Sequence, residues 1–361
     1  MSGIERVDVS AYTVPTDFPE SDGTLEWDKT TVVIVESTGG GETGIGYTYG
    51  DTAVATLIEG KLAGLVKATD AMDIPGSWMA MVRSVRNLGR PGVASMAISA
   101  VDASLWDLKA KLLRLPLAKL LGMVRDGVAV YGSGGFTSYS DQQLRQQLGG
   151  WASEGISRVK MKIGREPARD PQRLEQARKA IGNETELFVD ANGAYSRKQA
   201  LELAEEFGRF GVSWFEEPVS SDDLEGLRLM RDRAPAGMDI AAGEYGYDLG
   251  YFRRMLEAGT VDVLQADATR CGGITAFLGV GSLCEASQVP LSGHTAPALH
   301  LALGCALPKM CHIEYFHDHV RIEEMLFEGV VRPRGGILYP DLGRPGLGLE
   351  LKRSAAERYA A

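Results

Sequence analysis

Seven ionisable residues recur through the second half of the chain at a nearly constant interval. Lys162, Asp190, Glu216, Glu244, Asp267, His294 and Glu314 lie 28, 26, 28, 23, 27 and 20 residues apart, and each closes a short apolar run. That interval suits one strand and one helix per step. In a closed parallel barrel such strand ends converge on one mouth, the C-terminal face where barrel active sites are built. Packing alone explains seven converging charges poorly, because a buried charge without a partner or metal is costly.

Asp190, Glu216 and Glu244 end three consecutive runs and offer hard oxygen ligands, a set suited to Mg²⁺. No thiolate or imidazole stands beside them. Each alone could equally pair with Lys or Arg in a solvated network, but three at one period favour a metal. Lys160 and Lys162 are two apart, so on a strand both side chains point the same way. Two neighbouring ammonium groups beside a divalent cation are expected to bring a lysine down toward the range of a general base. Solvated surface lysines are the alternative, and they require a different register. Asp267 and His294 end adjacent runs, and a carboxylate beside an imidazole fixes its tautomer and raises its basicity. His300, His312, His317 and His319 read as structural. Glu314 either hydrogen-bonds a substrate carboxylate in its protonated form or pairs with a nearby Lys or Arg.

The elements that must position these groups are legible as eight short runs, centred on residues 128–131, 159–162, 187–190, 213–216, 240–243, 261–264, 289–292 and 312–314. Helix-length amphipathic segments separate them, the signature of βα units around a parallel sheet. Upstream, residues 7–12 alternate and residues 30–36 are rich in β-branched types, which predicts two strands. The polar segment 16–23 between them, with Pro19 and Gly23, predicts a long hairpin loop. Residues 95–111 carry apolar side chains at helical spacing, and Pro116 opens a short helix ending at Leu121-Gly122. The tail from Glu328 reads as irregular chain that returns to cover another part.

With 361 residues, the chain exceeds the roughly 250 of a typical barrel by about 110, which implies a smaller second unit. Acidic residues outnumber basic ones, 48 to 38, and no basic run exceeds two, so nucleic acid is a poor partner. No stretch approaches the roughly 20 apolar residues of a membrane span. The opening residues lack an apolar signal core, from which a cytoplasmic location is expected. Cys271, Cys284, Cys305 and Cys311 lack CxxC spacing and read as buried thiols.

The motifs resemble those of the enolase superfamily and its mandelate racemase subgroup over nearly the whole chain. The resemblance rests on the helix from Ala97 through Trp106-Asp107-Leu108-Lys109, on Lys160-Met161-Lys162, Asp190-Ala191-Asn192, Trp214-Phe215-Glu216-Glu217-Pro218 and Ala242-Gly243-Glu244. Asp267 through Thr275, Ser292-Gly293-His294 and His312-Ile313-Glu314 complete it. It implies an α/β fold: a modified TIM barrel, (β/α)7β, over residues 126–325, an N-terminal α+β capping domain over 1–125, and a C-terminal segment, 326–361, returning to the cap. Asp190, Glu216 and Glu244 would bind Mg²⁺, with Glu216 rather than Glu217 as the ligand. Lys162 would be one acid/base, Lys160 the neighbour that lowers its pKa, and Asp267–His294 the other. The loop near Asp17 and the turn at Tyr47 would close over the mouth, and Asp17, Tyr47 and Asn192 would contact substrate. Ser104 departs from the subgroup's usual Ala, a small-for-small change.

The activity implied is removal of a proton α to a carboxylate through an enediolate stabilised by Mg²⁺. Dehydration of an acid sugar to a 2-keto-3-deoxy acid is favoured, because members carrying K-x-K with His–Asp most often act on acid sugars. Racemisation, epimerisation or cycloisomerisation would use the same parts. The partner would be a small carboxylate, neither nucleic acid nor membrane, and the assembly a symmetric homo-oligomer such as an octamer. A non-catalytic binding protein on the same fold is a competing reading, but no ligand is missing. A zinc hydrolase is disfavoured by the lack of early histidine clusters.

Overall fold

The computed structural model describes residues 3–361. Its first unit is an antiparallel sheet of β1 (Arg6–Ser21), β2 (Glu26–Gly39) and β3 (Glu42–Tyr49) in that order. The helix Val93–Leu112 packs on this sheet, and most of its surface is buried. Two buried carboxylates on it act as fasteners. Asp102 accepts from Thr275 N and Oγ1 on the barrel helix Gly273–Ser287. Asp107 accepts from Ile45 N on β3 and from Leu347 N in the tail, and pairs with Lys111.

One expectation is corrected here. Residues 16–21 belong to β1 rather than to a long loop, and the hairpin turns at Asp22–Leu25, where Asp22 N donates to Leu25 O. Pro15 and Pro19 are tolerated because β1 is an edge strand and the pairing is interrupted between Pro15 and Glu20.

The second unit is a closed ring of eight parallel strands: β4 (Val128–Gly134), β5 (Arg158–Lys162), β6 (Glu186–Asp190), β7 (Val212–Glu216), β8 (Asp239–Ala242), β9 (Val263–Ala266), β10 (Leu291–Gly293) and β11 (Met310–Phe316). β11 pairs with β4 and closes it. A helix separates each pair of consecutive strands, and a further helix, His317–Leu326, follows β11 and meets the cap. The tail pairs Ile337–Leu338 with the start of β4 and ends with Ala361 N donating to Ala11 O on β1, so it returns to the cap. All four cysteines are free, three of them buried. No helix among the described residues is long and apolar enough to cross a membrane.

Alternation along the strands explains how the barrel holds polar groups at one end. Side chains two apart share a face, so Phe188 and Asp190, Trp214 and Glu216, and His312 and Glu314 each stack as floor and rim. Tyr131, Phe188 and Trp214 form the floor, with the Phe188 and Trp214 rings stacked at 5.0 Å. Lys160 Nζ lies 5.3 Å from the centre of the Tyr131 ring, the range of a cation–π contact.

Candidate active site

Asp190, Glu216 and Glu244, at or just past the ends of β6, β7 and β8, are buried and bring ligand atoms within 4.8 Å of one another. Gly243 makes this approach possible. Its φ of +135° suits glycine, and a Cβ there would meet Gln265 O at 2.1 Å. Glu217 Oε1 is buried without a hydrogen-bond partner, and Glu244 Oε2 beside it faces only His294 Nε2, at 3.3 Å and outside good hydrogen-bond geometry. A buried acceptor left over in a convergent carboxylate set is what a cation would satisfy. Burial, followed by the charge of Asp190, raises Glu216 to about 8. Burial also raises Glu217, helped by Glu244. Burial acts on Glu244 in the same sense, but His294 and Arg270 outweigh it and hold this carboxyl well below the usual range.

The two lysines reach the same carboxylates. Lys162 Nζ donates to Asp190 Oδ2 at 2.5 Å and to Asn192 Oδ1 at 3.1 Å. Lys160 Nζ donates to Glu216 Oε1 at 2.6 Å and lies 2.9 Å from Glu314 Oε1. The expected depression of Lys162 is therefore not produced by the protein's own groups. Burial and Lys160 lower it, but Asp190 and then Glu244 raise it further, above the ordinary lysine range. Lys160 is raised likewise, burial being outweighed by Glu216 and Glu314. Carboxylates, not the neighbouring ammonium, dominate each lysine's field.

On the opposite flank His294 Nδ1 lies 2.9 Å from Asp267 Oδ2, and Nε2 points toward Glu244 Oε2 at 3.3 Å. Asp267 is oriented by Thr269 N, which donates to Oδ1 at 2.7 Å. His294 is raised to about 10: burial opposes its charge, and Glu244, Glu314 and Asp267 outweigh burial. Glu314 takes the paired form of its two expected states. It accepts from Ser133 Oγ at 2.6 Å and Thr295 N at 3.1 Å, and although burial opposes its charge, Lys160 and His294 hold it at about 2. It is an ionised carboxylate, not a protonated donor.

Backbone strain concentrates here. Of the seven non-glycine positions with positive φ among the described residues, four, Asn192, Glu217, Thr295 and Ala296, lie within three residues of the ends of strands that carry the site. Such strain collects at functional sites.

A cavity of about 320 Å³ opens above these groups, bounded by Lys162, Asn192, Glu244, Arg270, His294 and Glu314 from the barrel. Asp22, Leu25, Trp27, Lys29 and Tyr49 bound it from the cap. Two expected substrate contacts are corrected. Tyr47 is fully buried with its hydroxyl donated to Glu323, one step below the mouth on the face of β3 it shares with Tyr49; Tyr49, at the end of the strand, borders the cavity. Asp17 does not border the cavity but faces His317 at 3.0 Å, because residues 16–19 form an extended, unpaired break in β1 that carries it to the outer seam. Arg270 was not singled out from sequence. It lies 3.3 Å from Glu244 and 3.5 Å from Asp267, and its place three residues after Asp267 is the signal that could have found it. His319 also differs from its structural reading, since it stacks on Tyr49 at 3.4 Å and borders the cavity. His300 and His312 are structural: His300 Nε2 accepts from Ala268 N, and His312 bonds Ser292 in the barrel floor.

Comparison with known proteins gives two family matches: "Enolase C-terminal domain-like" over residues 143–355 and "Mandelate racemase / muconate lactonizing enzyme, N-terminal domain" over residues 7–122. A mandelate racemase/muconate lactonizing enzyme-like protein from Rubrobacter xylanophilus superposes with a TM-score of 0.97 at 58% identity, covering 99% of each chain. The 3,6-anhydro-alpha-L-galactonate cycloisomerase of Streptomyces coelicolor is 34% identical over 96% of this chain and 97% of its own. L-Talarate dehydratase from Polaromonas sp. JS666, solved with Mg and L-glucarate, superposes with a TM-score of 0.91 at 31% identity, covering 100% of this chain and 98% of that one.

Proposed function

Because this chain belongs to the mandelate racemase / muconate lactonizing enzyme family of the enolase superfamily, we propose that it removes the proton α to the carboxylate of an acid sugar and expels the β-hydroxyl, giving a 2-keto-3-deoxy acid. The observation that carries this reading is the placement of two proton-transfer groups, Lys162 on β5 and His294 after β10, on opposite flanks of the carboxylate triad.

Asp190, Glu216 and Glu244 hold Mg²⁺ in this scheme, which supplies Lewis acidity toward the substrate carboxylate. Lys162 Nζ, held in place by Asp190 and Asn192, would accept the α-proton on one face as the neutral amine, a form that a divalent cation on the triad would favour. His294 Nε2 delivers a proton to the departing hydroxyl on the other, its Nδ1 fixed by Asp267. Lys160, bound between Glu216 and Glu314, favours the ionised form of both carboxyls and holds them in place. The cap hairpin and Tyr49 exclude water and select the substrate. The assembly is taken to be a symmetric homo-oligomer, as the resemblance implies, and light scattering tests that.

A second reading has a specific observation behind it, the match to an anhydro-galactonate cycloisomerase. A 3,6-anhydro bridge places a ring oxygen on the carbon β to the carboxylate, so that oxygen can leave in place of the hydroxyl and open the ring. Where the β-carbon bears no leaving group, return of the proton to the opposite face gives an epimer. The test is a panel of aldonates, aldarates and anhydro-aldonates with Mg²⁺, read by a carbonyl reagent and by deuterium uptake at the α-carbon. Product carbonyl from the first two classes supports dehydration, and from the third, ring opening. Exchange without carbonyl indicates epimerisation, and neither signal from any class refutes the chemistry.

A further inference from the structure

A second group of candidate ligands lies outside the mouth, in the seam between cap and barrel. Asp17 and Glu20 on β1, and His317 at the start of the helix after β11, each bring a ligand atom to within 4.8 Å of the others. Residues three apart on a regular strand face opposite sides. Here the register passes from Pro15↔Lys29 directly to Glu20↔Trp27, so residues 16–19 stand against Asp28 alone. That irregularity is what lets Asp17 and Glu20 reach one point, a known use of bulges.

The spacing and unmet valence both suit a cation. His317 Nε2 lies 3.0 and 3.2 Å from the two Asp17 oxygens, and tetrahedral zinc with bonds of about 2.0–2.1 Å sets neighbouring ligand atoms about 3.3 Å apart. Glu20 is 0% exposed; its Oε2 accepts from Trp27 Nε1 at 2.9 Å, but Oε1 has no hydrogen-bond partner. A buried carboxylate oxygen without a donor is expensive. Asp17 and Asp318 add negative charge; the nearby guanidinium of Arg321 gives Nη2 to Asp318 Oδ1 at 2.7 Å and Pro15 O at 2.6 Å, and its buried Nε has no partner, Glu20 Oε1 included. Burial, then Asp318, raises Glu20 to about 9.

We propose that Asp17, Glu20 and His317 form a second metal site that takes Zn²⁺, with solvent completing the coordination. One imidazole with two carboxylates is a softer set than the all-oxygen triad at the mouth and suits zinc better than magnesium. Its position gives it a role. The β1–β2 hairpin supplies Asp22, Leu25 and Trp27 to the mouth cavity, and the helix carrying His317 supplies His319. Zinc shared between them clasps the hairpin to the barrel rim.

The test is equilibrium dialysis of the full chain against Zn²⁺ with Mg²⁺ saturating, repeated with Co²⁺ as a spectroscopic stand-in. One zinc per chain is expected beyond the magnesium site, still bound in Asp190→Asn, where the mouth triad is disabled. His317→Gln and Glu20→Gln are each expected to weaken it by about tenfold or more, with circular dichroism unchanged. Cobalt loading of the unsubstituted protein should also shift the His317 ring resonances paramagnetically, a reading that needs no variant to fold. No additional zinc, equal affinity in His317→Gln, or an undisturbed His317 ring overturns the site. No substrate is involved, so failure here is separable from failure of the proposed reaction.

Discussion

Asp267→Asn isolates the histidine arm of the site. The side chain keeps its size, and an amide oxygen can still accept from His294 Nδ1 across the 2.9 Å contact, while Thr269 N can still hold the group from behind. What is lost is one negative charge. A hydrogen bond to a charged partner contributes about 1.5–3 kcal/mol against roughly 0.5–1.5 for a neutral pair, so the substitution removes about 1–1.5 kcal/mol. At 1.36 kcal/mol per pKa unit that is about one unit. His294, raised to about 10 against burial by Glu244, Glu314 and Asp267, should then titrate about one unit lower, since removing an anion disfavours the imidazolium. Turnover should fall about tenfold, and by as much as ~10⁴ if the amide presents its NH₂ and inverts the tautomer. Histidine NMR titration reads the first effect and the pH–rate profile the second. Exchange of the substrate α-proton through Lys162 should survive. Wild-type turnover together with an unmoved His294 titration would refute the coupling argued from this geometry.

Three further outcomes follow from the same coordinates. Lys162→Ala and His294→Ala should each cut turnover by about 10²–10⁴ or more, the usual contribution of a positioned acid or base, with the fold intact by circular dichroism; either variant at near-normal rate sinks the two-base scheme. Gly23→Ala places a Cβ 2.4 Å from Ala191 O and 2.8 Å from Ile163 O, so the hairpin tip must lift from the barrel. KM should rise with little change in thermal midpoint, and an unchanged KM would mean the tip does not close the mouth. Asp107→Ala strands Ile45 N, Leu347 N and Lys111 at once and should cost about 3–5 kcal/mol in chemical denaturation, with Asp107→Asn milder; a loss below about 1 kcal/mol would show that these contacts do not fasten cap, helix and tail.

The barrel was legible because strand alternation and the βα interval act together. Phe188 with Asp190 and Trp214 with Glu216 read as floor and rim two residues apart, and the interval repeats that pair around one ring. The cap was less legible for a physical reason: its contacts to the mouth depend on register, and one bulge changes register without leaving a compositional trace. Polar residues with two prolines look like a loop, yet on an edge strand they stay extended around a break in the pairing, and Asp17 moves to the seam. Tyr47 and Tyr49 are equivalent in type and share a face of β3, and they differ only in how far along the strand each stands from the mouth. The carboxylates that set the lysines' field were not legible, because a sequence shows two ammonium groups as neighbours but not the contacts each makes with Asp190 and Glu216. Arg270 was passed over because its role depends on Glu244, which belongs to the preceding βα unit.

The charge in the mouth makes anion binding depend on the metal. Asp190, Glu216, Glu244, Asp267 and Glu314 face Lys160, Lys162, Arg270 and His294, while burial and Glu244 disfavour a charge on Glu217, which is counted neutral. The protein's own groups thus sum to one negative charge, or to none if Glu216, raised to about 8, is counted neutral. Nothing there draws a carboxylate into a chain that carries a net charge of −10. A divalent cation on the triad makes the sum positive by one or two, enough for one substrate carboxylate. Two unit charges about 4 Å apart interact by about 4 kcal/mol at an effective dielectric of 20, so an unreactive hydroxamate analogue should bind at least about 10²-fold more tightly with Mg²⁺ than in EDTA. Asp190→Ala should abolish that difference. Calorimetry in the two buffers decides it, and equal affinity in both would mean that the lysines and Arg270 alone recognise the anion.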